Sequence, residues 1–115
     1  MSGILDGINI LDLSRILAGP YTAQMLSDLG ANITKIEAPW GDDTRGWGPP
    51  FATDFDGDRV AAYFLCCNRG KTILQMNLKE EKERLMEWID WADVIVENFK
   101  PGTLERLVGT LPNDT

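Results

Sequence analysis

Four short apolar segments alternate with amphipathic stretches along the chain. They are Ile8-Asn9-Ile10-Leu11-Asp12-Leu13, Asn32-Ile33-Thr34-Lys35-Ile36, Thr72-Ile73-Leu74-Gln75-Met76 and Val94-Ile95-Val96. Each is rich in β-branched or aliphatic residues, and turn formers such as Gly30 and Pro39 bound the second, so all four are predicted strands. The last is a continuous apolar run of the kind a parallel sheet buries on both faces.

Between the strands the period lengthens. Thr22, Met25, Leu26 and Leu29 recur at i, i+3, i+4, i+7 and predict a helix from Pro20 to Leu29 with that face inward. Gly19 suits its N-cap, Pro20 its first position and Gly30 its left-handed C-cap. Further helices are predicted from Arg59 to Cys67, from about Lys79 to Trp91, and from Pro101 through Leu104 and Leu107. In the third, Leu85, Trp88, Ile89 and Ala92 form the inward side; Glu80 to Arg84 form a solvated charged side.

Strands alternating with helices predict parallel βαβ units, hence an α/β fold. One connection is long, from Ala38 to Asp58, and carries Pro39, Gly41, Gly46, Gly48, Pro49, Pro50 and Gly57. A loop of this length is functional or disordered. Trp40 and Trp47 argue against disorder.

Composition narrows the function. The 115 residues are enough for one modest core, and 43% hydrophobic with 25% charged residues is a globular balance. No apolar run approaches the roughly 20 residues of a membrane span. The first residues lack the basic flank and apolar block of a secretory signal. A cytoplasmic protein is the expectation, with the mitochondrial matrix or peroxisome as alternatives, and no membrane partner. The net charge of -7 argues against a nucleic-acid partner. With no histidine, acid–base chemistry falls to Asp, Glu, Lys, Tyr or Cys, and histidine metal sites are excluded. Cys66 and Cys67 are adjacent, which suits neither an unstrained disulfide nor a metal cage, so both are expected as small helix residues and no metal site is predicted.

Three turns could carry chemistry. Ser14 to Pro20 joins the first strand to the first helix, where a helix N-terminus offers free N–H groups to an anion. Asn68-Arg69-Gly70-Lys71 sets two cations around a glycine, a fork and a point charge for phosphate, or else a solvated loop. Glu97-Asn98-Phe99-Lys100-Pro101-Gly102 offers an aromatic to stack on a base, an amide for its edge and a cation, with Arg106 one helical turn on. Asp42-Asp43-Thr44-Arg45 is expected to close on itself as an exposed ion pair to Arg45. Neither G-x-G-x-x-G nor a P-loop sequence is present.

These segments resemble, together and in order, one family. Leu5-Asp6-Gly7-Ile8, Leu11 to Pro20, Leu29-Gly30-Ala31, Lys35-Ile36-Glu37, Gly41-Asp42-Asp43-Thr44-Arg45, Trp47-Gly48-Pro49-Pro50-Phe51, Asn68-Arg69-Gly70-Lys71 and Val96 to Gly102 carry the likeness. The chain resembles family III CoA-transferases, which include formyl-CoA and carnitine CoA-transferases and the related α-methylacyl-CoA racemases. The resemblance runs from Leu5 to about Leu107.

It implies a Rossmann-like parallel sheet with flanking helices, incomplete here at about four strands. Residues 1–107 would be the N-terminal part of the large domain and 108–115 a divergent or truncated tail. It implies transfer of coenzyme A between carboxylic acids, dicarboxylic ones in the branch that Ala18-Gly19-Pro20 and Trp47-Gly48-Pro49-Pro50 resemble. Coenzyme A or acyl-CoA is then a substrate, with no permanently bound cofactor. The full-length protein would be an interlocked homodimer. The nucleophilic aspartate would lie beyond Thr115, so no catalytic residue is assigned here and the chain alone is expected to be inactive. By the same resemblance CoA would lie near Leu17, Ala18 and Ala38, along Asn68, Arg69, Gly70 and Lys71, at Asn98, Phe99 and Lys100, and at Arg106. Ala38 stands where some members have an arginine and cannot supply that contact. Trp47 would stand near the acyl group. A racemase-like enzyme, a non-catalytic CoA-binding module and a dimer-interaction fragment are the alternatives.

Overall fold

A computed structural model describes residues 3–53 and 55–109. The residues 110–115 of the expected tail lie outside them. The predicted strands form as β1 (Asn9–Asp12), β2 (Asn32–Glu37), β5 (Thr72–Gln75) and β6 (Val94–Val96). They make one parallel sheet in the order β5-β2-β1-β6. Leu13, Met76 and the other flanking residues of the predicted runs fall just past the strand ends, where their backbones still bond, Leu13 to Val96 and Met76 to Glu37.

Helices cover both faces. Leu11, Leu13, Ile36 and Met76 meet Leu85 and Ile89 of α3 (Lys82–Trp91) and Val108 of α4 (Thr103–Val108) on one side. Ile10 and Ile33 meet Ala23 of α1 (Ala18–Asp28) on the other. The predicted inward side of α3 holds, with Trp88 and Ala92 packed at the margin of that core.

The inward face of α1 is not the one its spacing predicts. Thr22, Met25 and Leu29 are exposed, and Gly19, Pro20, Ala23 and Gln24 are buried. Small side chains let the helix lie close to the sheet, and close approach outweighs the count of large apolar residues. Gly19 is the limiting case: a Cβ there would stand 2.2 Å from the Cβ of Ser14.

The segment from Ala38 to Asp58 is partly built. A 3-10 turn spans Asp43–Gly46, and β3 (Phe51–Thr53) pairs antiparallel with β4 (Arg59–Ala61). The helix predicted from Arg59 therefore starts later, as α2 (Ala62–Asn68). Arg59 lies over the Phe51 ring at 4.1 Å, a contact that favours the hairpin over an extra helical turn. Within α2, Cys67 is buried and Cys66 exposed.

Candidate functional site

The chain winds from β1 outward through β2 to β5, then crosses to β6 on the other side of β1. In open α/β sheets such a reversal marks the ligand crevice beyond the carboxyl ends of the strands, which here are those of β1 and β6. Its two walls are the turn Leu13 to Leu17 and the turn Glu97 to Gly102.

Asn98 joins the walls. Its Oδ1 accepts from the Arg15 N–H at 3.1 Å and its Nδ2 donates to the Arg15 carbonyl at 2.8 Å. The first turn of α1 follows directly, with Leu17 at its N-cap and no side chain capping it. Leu17 and Ala18 are exposed on that turn. Phe99 is half-buried against the α3–α4 core, while Lys100 and Arg106 are exposed, Arg106 donating to Thr103 Oγ1 at 3.1 Å.

Ile16 has φ 72°, the only non-glycine residue with a positive φ among the described residues. A β-branched residue in the left-handed region is a strained one, and such strain clusters at ligand sites.

Behind these turns three carboxylates meet three cations, all buried except the half-buried Arg45. Lys71 Nζ donates to Asp12 Oδ2 at 2.8 Å, Asn68 Oδ1 at 2.9 Å and the Pro20 carbonyl at 3.0 Å. Asp12 Oδ1 accepts from the backbone and hydroxyl of Ser14. Lys35 Nζ donates to the Ser14 carbonyl at 2.9 Å and pairs with Asp42 at 3.3 Å. Arg45 forks onto Glu37 at 3.0 Å and lies over the Phe64 ring at 3.9 Å. Three ion pairs bring the set to neutrality, which burial of this many charges requires.

Burial shapes their titration. Desolvation, the largest influence, lowers the Lys71 ammonium below 10.5 against the opposing pull of Asp12. Desolvation alone would raise the Asp42 carboxyl. Hydrogen bonds from Thr44, the Lys35 charge and the Ile16 N–H together outweigh it and hold Asp42 below 3.8.

Two expectations change here. Asp42 does not close on Arg45; it meets Lys35, and Arg45 meets Glu37, because both carboxylates are buried and need a cation at contact. Asn68 and Lys71 are not a solvated loop. The side chain of Lys71 has no exposed surface and all three of its N–H groups are taken, so it has none left for a phosphate in this conformation. Arg69 is exposed but pairs with Asp28 in the last turn of α1, at the end away from the crevice. Gly70 stands beside Ser27 at the same end.

Ala38, half-buried just past β2, offers only backbone and a methyl group. Trp47 is half-exposed and meets Tyr63 edge-on at 5.3 Å, which ties the long loop to α2. At the carboxyl end of β5, to which sequence reasoning assigned no role, Asn77 caps the next turn by accepting from the Lys79 N–H at 3.1 Å, and Lys79 is exposed. Among the described residues no cluster of His, Cys, Asp and Glu could hold a metal ion, and no helix is long and apolar enough to cross a membrane.

A parallel sheet covered by helices on both faces, with its strand order reversing at β1, defines a doubly wound α/β domain. The profile of CoA-transferase family III matches residues 5–111, and the chain belongs to that family. It is 45% identical over 106 residues to a succinyl-CoA:mesaconate CoA-transferase of Haloarcula marismortui, covering 90% of this chain and 26% of that one. It is 47% identical over 106 residues to a succinate–glutarate CoA-transferase of Agrobacterium fabrum, covering 89% and 26%. A crystal structure of a CAIB/BAIF family protein from Brucella suis superposes with a TM-score of 0.88 at 47% identity, covering 93% of this chain and 29% of that one. The chain thus spans about a quarter of the length of the curated relatives it matches.

Proposed function

We propose that the crevice between β1 and β6 receives coenzyme A in an enzyme that moves CoA between carboxylic acids. In the net reaction an acyl-CoA and a free carboxylate exchange the CoA thiol, giving a new acyl-CoA and the released acid. The observation that carries this reading is the bridge from Asn98 to both polar groups of Arg15, which preforms the mouth of the crevice in a chain of this family.

In this reading Leu17 and Ala18 let the ligand approach the α1 backbone. Phe99 and Asn98 meet the base, and Lys100 and Arg106 meet phosphates as charge-assisted donors. Ala38 supplies no cation. Lys71, itself held by Asn68, acts from below by fixing Asp12 and the Pro20 carbonyl. The acid is a dicarboxylic one, in line with the names of the relatives. Trp47 stands toward the acyl group. The nucleophile is an aspartate outside these 115 residues, and the working protein is a homodimer.

Calorimetry of the full chain with CoA tests the binding step. Saturable binding is expected, and Lys100→Ala should weaken it by about 3- to 10-fold, the range for an exposed charge-assisted contact. Absence of heat at millimolar CoA would sink the proposal.

A further inference from the structure

We infer that Asp42 is a positioning residue for the ligand turn, and that it makes the long loop and that turn a single unit. Residues 14 to 16 are held by side chains from three separate segments. Lys35 of β2 takes the Ser14 carbonyl. Asn98 takes both backbone groups of Arg15. Asp42, from the long loop, takes the Ile16 N–H at 3.3 Å.

Asp42 alone among the three meets the strained residue. Its other oxygen, Oδ1, is fixed by the Thr44 N–H at 3.0 Å and the Thr44 hydroxyl at 2.8 Å, and Lys35 braces Oδ2, the oxygen that takes Ile16, at 3.3 Å. An isoleucine leaves the left-handed region unless its surroundings hold it there. The carboxylate supplies that hold in a buried setting, where a charge-assisted bond is strongest. Because Asp42 begins the 3-10 turn that leads to Trp47, displacement of the loop must release Ile16. Release of Ile16 in turn re-aims the uncapped first turn of α1.

This inference rests on the reading that the turn receives CoA, and its test separates the two. In the full chain, amide exchange at Ile16 is compared between the native protein, Asp42→Asn, Ile16→Gly and the double variant. Asp42→Asn is expected to speed exchange at Ile16 by at least tenfold and to weaken CoA binding about tenfold. Ile16→Gly, which populates a positive φ freely, should restore CoA affinity in the Asp42→Asn background to within about threefold of native. Thr44→Val, which leaves the charge in place, serves if Asp42→Asn does not fold; a smaller loss, again rescued by Ile16→Gly, is expected. Unchanged exchange at Ile16, or no rescue by glycine in folded variants, overturns the inference. If the native protein does not bind CoA, the binding proposal fails and the exchange data alone decide the role of Asp42.

Discussion

Asp12 and Lys71 show what a buried ion pair costs when broken. Both side chains are fully buried. Lys71→Met is expected to destabilise the fold by about 3–5 kcal/mol, because Asp12 would keep its charge without a cation. Adding Asp12→Asn should recover part of that loss; urea unfolding of the two variants measures both. Asp42 carries an acid signature. Its carboxyl is held below 3.8 when folded, so its contribution is complete above the unfolded value and is lost as pH falls through the lower folded value. Unfolding free energy measured below about pH 4 should fall less steeply in Asp42→Asn than in the native protein. The two thiols should also separate. Burial first, then the hydrogen bond and charge of Cys66, push the Cys67 thiol up to about 11. Iodoacetamide at pH 8 should therefore label Cys66 well before Cys67, read by peptide mass spectrometry. None of the buried charges was legible as buried. Lys35 and Glu37 sit in a strand where polar residues ordinarily mark the solvent side, and only the loop folding over them makes burial affordable.

The elements were legible where one physical signal dominated. Val94-Ile95-Val96 and Ile33 to Ile36 read as strands because β-branched runs have few alternatives, and the α3 face read correctly because Leu85 and Ile89 are its bulky residues. The α1 face did not, because the sheet accepts it through Gly19 and Ala23, residues that hydrophobic spacing underweights. Gly19→Ala tests that packing directly. The added methyl meets Ser14, and overpacking of this kind costs about 1–3 kcal/mol, measured by the shift in urea midpoint. Of the candidate site, the turns at Leu17 and Asn98 were legible as turns because strand-to-helix connections are visible in sequence. The partners of Asp42 and Arg45 were not, since they are set by tertiary approach between segments.

At the scale of the molecule, stability should grade outward from β1 and β2. These strands have a neighbour on each side, whereas β5 and β6 form the edges among the described residues. Hydrogen exchange should be slowest at Leu11 and Ile36 and fastest in the β3–β4 hairpin, whose β3 is fully exposed. Equal protection across the hairpin and the central strands would contradict this ordering.

The Asn98 bridge leaves the domain sensitive to a change of one atom group. Conversion of its side-chain amide to an acid, with loss of ammonia, is one outcome of asparagine ageing, and the aspartate product puts a carboxylate oxygen in place of Nδ2 with almost no change in shape. That oxygen would face the Arg15 carbonyl, replacing a 2.8 Å attraction with a repulsion between two acceptors. An aged preparation, indistinguishable by size and nearly so by mass, would then have its crevice unlatched on one side.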